Sequence, residues 1–182
     1  MTGDEAGVSP SPWIVRFASL IRPAGPVMDV ACGAGRHSRY LADRGHPVTA
    51  IDRDLTRMTD VRGVRAVQAD LEDGSPLPFG GGTEVFSGVI ITNYLWRPLF
   101  PALLSALEAG GVLLIETFAH GNEAFGRPRN PEFLLGRGEL LHLTAGLSVV
   151  AYEDGIVERG GECRVMQRIC AVNGSLPVRL PE

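Results

Sequence analysis

The spacing of apolar positions changes repeatedly along the chain. Trp13, Ile14, Phe17, Ala18 and Ile21 recur at helical intervals behind a Ser11-Pro12 start signal, and Pro23 and Pro26 end that run. A short apolar block at 27–31 reads as a buried strand. Residues 36–44 then read as a helix burying Tyr40 and Leu41, with Gly45 closing it. Further strands are predicted over 47–51, ending at Asp52, and over 64–68, ending at Ala69-Asp70, with a brief helix through Leu55 and Met58 between them. A fourth strand spans 83–92. A helix over 97–109 follows, with Pro98 in its first turn and Gly110-Gly111 closing it, and then a fifth strand over 112–118. A polar loop occupies 119–131 and a helix 132–143. Two β-rich runs, 147–152 and 163–172, are joined at Asp154-Gly155 and Gly160-Gly161 as a hairpin. Strands alternating with helices predict an α/β fold: a doubly wound, mostly parallel seven-stranded sheet with helices on both faces and a C-terminal antiparallel hairpin.

Composition narrows the chemistry. The 182 residues suit one domain, 1–182, with 1–12 expected to be mobile. A hydrophobic share of 45% against 21% charged residues supports a full core rather than disorder. The formal net charge of -4 disfavours nucleic acid or an anionic membrane as partner, and no apolar run reaches the length of a membrane span. All 17 basic residues are arginines, which excludes a Walker-type phosphate loop and Schiff-base chemistry. Three unpaired-looking cysteines (Cys32, Cys163, Cys170) and no leader pattern predict a cytoplasmic protein. Four scattered histidines (His37, His46, His120, His142) give no metal-ligand spacing, so no metal is expected.

Ligands of doubly wound sheets bind at the carboxyl ends of the strands. At the end of the first strand, Gly33 and Gly35 make a tight turn without a Cβ to keep a ligand from the backbone, and the next helix begins at Arg36. Asp52, at the end of the second strand, suits both hydroxyls of an adenosine ribose; it equally suits an N-cap. Asp70, at the end of the third, suits an adenine amino group or a solvated turn. The third glycine of the dinucleotide fingerprint is replaced by Ser38.

The segments Asp29-Val30-Ala31-Cys32-Gly33-Ala34-Gly35-Arg36-His37-Ser38, Val48-Thr49-Ala50-Ile51-Asp52 and Gln68-Ala69-Asp70 resemble the successive motifs of class I S-adenosylmethionine (SAM)-dependent methyltransferases. Within that superfamily they are most similar to small bacterial enzymes of the tellurite-resistance type. The resemblance covers 27–118 well and the last third loosely. Ala31 stands where the family's motif carries a glycine. The resemblance implies SAM as cofactor. Gly33, Gly35 and the backbone near Ala31 would hold its methionine part, Asp52 the ribose, Arg53 one side of the adenine, and Asp70 with Leu71 the adenine edge. Asp29 would orient the loop or meet the amino group; as a buried acid it could equally serve backbone N–H groups.

On the acceptor side, the resemblance places Asn93 and Tyr94 near the transferable methyl. Asn93-Tyr94-Leu95 departs from the Asn/Asp-Pro-Pro-aromatic pattern of DNA amino-methyltransferases, so a small-molecule acceptor is expected instead of nucleic acid. His120, Arg127 and Arg129 on the long loop could draw in an anionic acceptor, with Tyr94 covering the site. An anionic or soft nucleophile needs no general base; for an alcohol or amine His120 is the candidate. Trp13 and Arg16 either form a lid or pack. The residues leave open an NAD-dependent oxidoreductase, which shares the Gly33, Gly35 and Asp52 logic, and a SAM-binding sensor or subunit without transferase activity. A monomer or a homodimer paired through the edge hairpin fits the chain.

Overall fold

The computed structural model describes residues 9–58, 61–78 and 84–181. The strands are β1 (Val27–Val30), β2 (Val48–Asp52), β3 (Val64–Gln68), β4 (Phe86–Thr92), β5 (Leu107–Phe118), β6 (Ser148–Arg159) and β7 (Glu162–Val172). The helices are α1 (Pro12–Phe17), α2 (Arg36–Ala42), α3 (Phe100–Ser105) and α4 (Glu139–Leu143). The sheet order is β3-β2-β1-β4-β5-β7-β6, with β1–β5 parallel and β7 antiparallel to both β5 and β6. This is the predicted doubly wound architecture, and its strand order reverses between β1 and β4.

The burial of each strand explains its place. All four residues of β1 and six of seven in β4 are buried, as strands covered by helices on both sides require. The outer strand β3 is half-exposed. One face of the sheet packs under α1 and α2 through Trp13, Ile14, Phe17 and Leu41, and the other under α3 and α4 through Phe100, Leu103 and Leu140.

Residues 9–12 lead into the first helix, and residues 1–8 lie outside the described residues. Ser11 caps α1, its hydroxyl accepting from the Trp13 N–H at 3.2 Å, and its own N–H donates to His37 Nε2 at 3.1 Å. Ser11→Ala removes the cap alone. It is expected to cost about 1 kcal/mol and to lower the thermal midpoint by about 2–4 °C in calorimetry.

Several predicted elements are corrected. The segment through Leu55 and Met58 is a pair of turns, not a helix, because Asp52 Oδ1 accepts from Asp54 N–H and Asp54 Oδ1 from Thr56 N–H. The helix predicted over 97–109 stops at Ser105, and β5 begins at Leu107, which pairs with Phe86 and is buried. Gly110 and Gly111 lie inside that strand, bonded to Asn173. The predicted 132–143 helix is broken: Leu135 pairs with the end of β5, and α4 starts only after Gly138, whose φ is +66°. Asp154-Gly155 is interior to β6, and the hairpin turns at Gly160-Gly161, both with positive φ as a two-residue loop demands. β4 begins at Phe86; Thr83, where it was expected to start, lies outside the described residues.

Candidate active site

The chain leaves β1 through a left-handed turn. Ala31, Gly33 and Gly35 all have positive φ, at 54°, 55° and 74°. A non-glycine residue there costs roughly 1–2 kcal/mol, so Ala31 carries strain that Gly33 and Gly35 avoid. A Cβ on Gly33 would meet nothing within 4 Å, so its backbone angle, not crowding, requires glycine. The turn is tied to the next strand: Cys32 N–H donates to Ile51 O at 3.0 Å, and Gly33 N–H to Asp52 Oδ2 at 2.8 Å.

Around this turn lies a cavity of about 230 Å³ lined by Ala31, Asp52, Arg53, Ala69, Asp70, Leu71, Glu72, Tyr94 and Phe133. Six of the residues singled out as cofactor-binding thus share one wall. Gly33 reaches the cavity through its bond to Asp52, while Gly35 opens α2 and Asp29 lies fully buried in β1. Asn93 is exposed beside Tyr94, with φ +55° and its N–H on Glu116 O. Asp70 holds its own turn, Oδ1 accepting from Glu72 N–H, and Gln68 Nε2 donates to the Arg53 carbonyl. Glu72 and Phe133 were missed: a turn acid and a loop aromatic carry no local signal of a wall. Burial, with the charges of Glu72 and Asp70, keeps the Tyr94 hydroxyl protonated well above its ordinary range.

Beneath the turn, Asp29 Oδ2 accepts from Ser38 Oγ at 2.6 Å, and Oδ1 is buried without a hydrogen-bond partner. Burial pushes this carboxyl up to about 6, against the opposing pull of Ser38 and Arg36. His37 is held neutral. Burial, then the charges of Arg36 and Arg159, push it down to about 3. Its Nε2 accepts from Ser11 N–H, so Nδ1 is the nitrogen left to donate to Thr92 Oγ1 at 3.3 Å. Burial, then the charges of Asp29 and Asp52, raise the Cys32 thiol to about 12 and keep it protonated.

The acceptor candidates do not converge. His120 borders a second cavity, of about 560 Å³, with Arg137, Tyr152, Asp154 and Gln167. Tyr94 lines the first cavity, while Arg127 and Arg129 are exposed and belong to neither. The segment between the two cavities is braced by Arg97, which pairs with both oxygens of Glu139 (2.6 and 3.0 Å) and donates to the carbonyls of Glu132 and Leu134. Trp13 is core, not lid: it is buried and its Nε1 donates to Ile169 O.

The fold, with its glycine turn at the switch point and acids ending β2 and β3, is that of the class I methyltransferases. The family model described as "Tellurite resistance protein TehB" matches residues 13–73. The structure of TehB from Haemophilus influenzae superposes with a TM-score of 0.67 at 17% identity, covering 87% of this chain and 60% of that one. The glycopeptide N-methyltransferase MtfA in complex with SAM superposes at 0.62 with 18% identity, covering 94% of this chain and 99% of that one. Among curated proteins, the trans-aconitate 2-methyltransferase of Sinorhizobium fredii is 30% identical over 104 residues, 52% of this chain. The chain spans 38% of that relative's length.

Proposed function

We propose that the chain is a SAM-dependent methyltransferase acting on a small anionic acceptor. The observation that carries this reading is the convergence of Asp52 and Asp70, from the ends of β2 and β3, on one cavity beside the glycine turn. Asp52 spends one lone pair of each oxygen on Gly33 and Asp54, which leaves both oxygens able to accept from ribose hydroxyls. Asp70 and the backbone at Leu71 suit the adenine edge, and Arg53 its face. The unpartnered Asp29 Oδ1 fits the ammonium of the methionine part: a buried oxygen with no donor is what a bound cation would satisfy.

Ser38 tells against the dinucleotide reading. A third glycine there would let the helix pack closely on the strand, as the dinucleotide fingerprint requires; instead the Ser38 hydroxyl is buried and committed to Asp29.

Bound in this cavity, SAM supplies an electrophilic methyl group on sulfur. The tasks left to the chain are alignment and exclusion of water. The Gly33–Asp52 bond pre-orders the turn, and Tyr94 and Phe133 wall the site. An ionised acceptor oxygen brings its own lone pair and no proton has to leave, so His120, in the other cavity, is not required as a base. The relative named for trans-aconitate, an acid, agrees with this class of acceptor.

A thermal-shift titration with SAM, S-adenosylhomocysteine and NAD tests the reading. At one hundred times its dissociation constant a ligand adds roughly 2.7 kcal/mol, worth about 2–4 °C per kcal/mol in a domain this size. Stabilisation by SAM and S-adenosylhomocysteine supports the assignment; a response to NAD alone overturns it.

A further inference from the structure

The larger cavity, of about 560 Å³, has no part in the chemistry assigned so far. Its volume falls within the roughly 300–1,000 Å³ of small-molecule sites. Tyr152 and Asp154 of β6 and Gln167 of β7 line it, together with His120 after β5 and Leu135 and Arg137 before α4. No residue lines both cavities. The 132–139 segment parts them, with Phe133 in the wall of the Asp52 and Asp70 cavity and Leu135 in the wall of this one, and Arg97 clamps that segment.

Most polar groups of the wall are committed. Gln167 is fully buried; its Nε2 donates to Gly136 O at 2.5 Å and its Oε1 accepts from Leu140 N–H at 3.1 Å, so it braces the rim. His120 N–H donates to Leu135 O, and Leu135 N–H to Phe118 O. The Tyr152 hydroxyl donates to Asp154 Oδ2 at 3.2 Å. Burial, then the Asp154 charge, push that hydroxyl up to about 12, so it stays a donor and Tyr152 has its ring left to offer. Asp154 Oδ2 also accepts from Gly138 N–H. Among the described residues, Asp154 Oδ1, the Arg137 guanidinium and the His120 ring have no hydrogen bond and no ion pair. The acids acting on His120 are Glu123, bonded to Gly121 N–H, and Glu139, bonded to Arg97 and Gly136 N–H; neither lines the cavity. Arg137 and Asp154 thus share one cavity while lying beyond ion-pair distance of each other.

We propose that this cavity is a second ligand site, separate from the acceptor's, for a zwitterionic α-amino acid with an aromatic or large apolar side chain. Arg137 and the His120 ring take the carboxylate, Asp154 Oδ1 takes the ammonium, and Leu135 and the Tyr152 ring take the side chain. A ligand with one charge satisfies one wall and is repelled by the other, so both charges are needed. The clamped segment keeps this ligand off the transferable methyl. The inference stands apart from the methyltransferase reading. SAM carries an α-amino acid end of its own, so the test separates the two places where that chemistry is recognised.

Isothermal titration of the full chain would use L-phenylalanine, 3-phenylpropionate, which lacks the ammonium, and phenethylamine, which lacks the carboxylate. Wild type would be compared with Arg137→Gln, Asp154→Asn and exposed Arg62→Gln as a charge control, with thermal melts as a check on folding. L-Phenylalanine is expected to bind wild type saturably and each analogue about tenfold or more weakly, as loss of a charge-assisted contact predicts. Arg137→Gln and Asp154→Asn should each weaken L-phenylalanine by about tenfold, and Arg62→Gln should not. Saturating S-adenosylhomocysteine should leave its affinity within about threefold. Failure of L-phenylalanine to bind wild type, equal binding of the three probes, or equal binding by every variant would overturn the proposal. So would displacement of L-phenylalanine by S-adenosylhomocysteine, which would put it in the cofactor's place, or N-methylphenylalanine formed from SAM, which would make the cavity the acceptor's. S-Adenosylhomocysteine that fails to bind counts against the methyltransferase reading alone, and the phenylalanine titrations decide this inference regardless.

Discussion

Asp52→Ala is expected to weaken S-adenosylhomocysteine binding by about a hundredfold while leaving the protein folded. Two charge-assisted hydrogen bonds to the ribose are lost, each worth about 1.5–3 kcal/mol, and about 1.4 kcal/mol is a factor of ten. The variant also frees Gly33 N–H, held at 2.8 Å by Asp52 Oδ2, so the glycine turn has to be ordered at the moment of binding. Stability should change little, because Gly33 and Asp54 are exposed and water can take over both N–H groups. Asp52→Asn keeps one acceptor oxygen, which can serve the ribose or the turn but not both as well as the carboxylate did, and should lose about tenfold. Asp70→Ala removes a single contact at the adenine edge and should cost no more than about tenfold. Titration calorimetry on the three variants would show the ranking; equal effects at Asp52 and Asp70, or none at Asp52, would remove the ribose assignment.

These expectations use residues that stand out in the sequence itself, and the reason is local. The central parallel strands are short, mostly apolar runs that end where the backbone emerges at the ligand face, so an acid at or just past a strand end, as at Asp52 and Asp70, marks the end and a candidate ligand group together. β1 and β4 were legible because burial on both faces suppresses polar alternation, leaving the apolar residues Val27, Met28 and Val30 around Asp29 and the run Val89-Ile90-Ile91. The last third was less so. Asp154-Gly155 has the composition of a turn, yet Asp154 Oδ2 accepts from Gly138 N–H across to the α4 loop and the strand runs through. The break in the 132–143 segment depends on Leu135 pairing with Phe118 and His120, a tertiary contact that helical periodicity cannot register. The site divides along the same line. Asp29, Gly33 and Asp52 lie at or just past consecutive strand ends, whereas Phe133 and Glu72 reach the cavity from loops.

Asp29 gives the second large effect, in pH. Its carboxyl titrates near 6 in the free protein because burial disfavours its charged form. A bound ammonium at Oδ1 favours that charged form, so the pKa must be lower in the complex than in the free protein. Affinity for S-adenosylhomocysteine is then constant well above pH 6 and falls on acidification, by up to about tenfold for each unit below it, since the complex must drive a proton off Asp29. The nearby histidine does not confuse the window: His37 stays neutral down to about 3. Two controls isolate the group. 5′-Methylthioadenosine has no ammonium and should bind with little pH dependence between about pH 5 and 8. Asp29→Asn should flatten the profile for S-adenosylhomocysteine and weaken it about tenfold at the alkaline end, where the wild-type carboxylate is fully ionised. In the free protein the sign is opposite. A carboxyl whose native pKa lies above its unfolded value stabilises the fold at low pH and loses that contribution as pH rises through 6, so the same acid that secures the cofactor in neutral solution destabilises the empty site there. A profile that stays steep in Asp29→Asn would place the titrating group elsewhere, and one that is flat in wild type would leave the buried oxygen without a ligand partner.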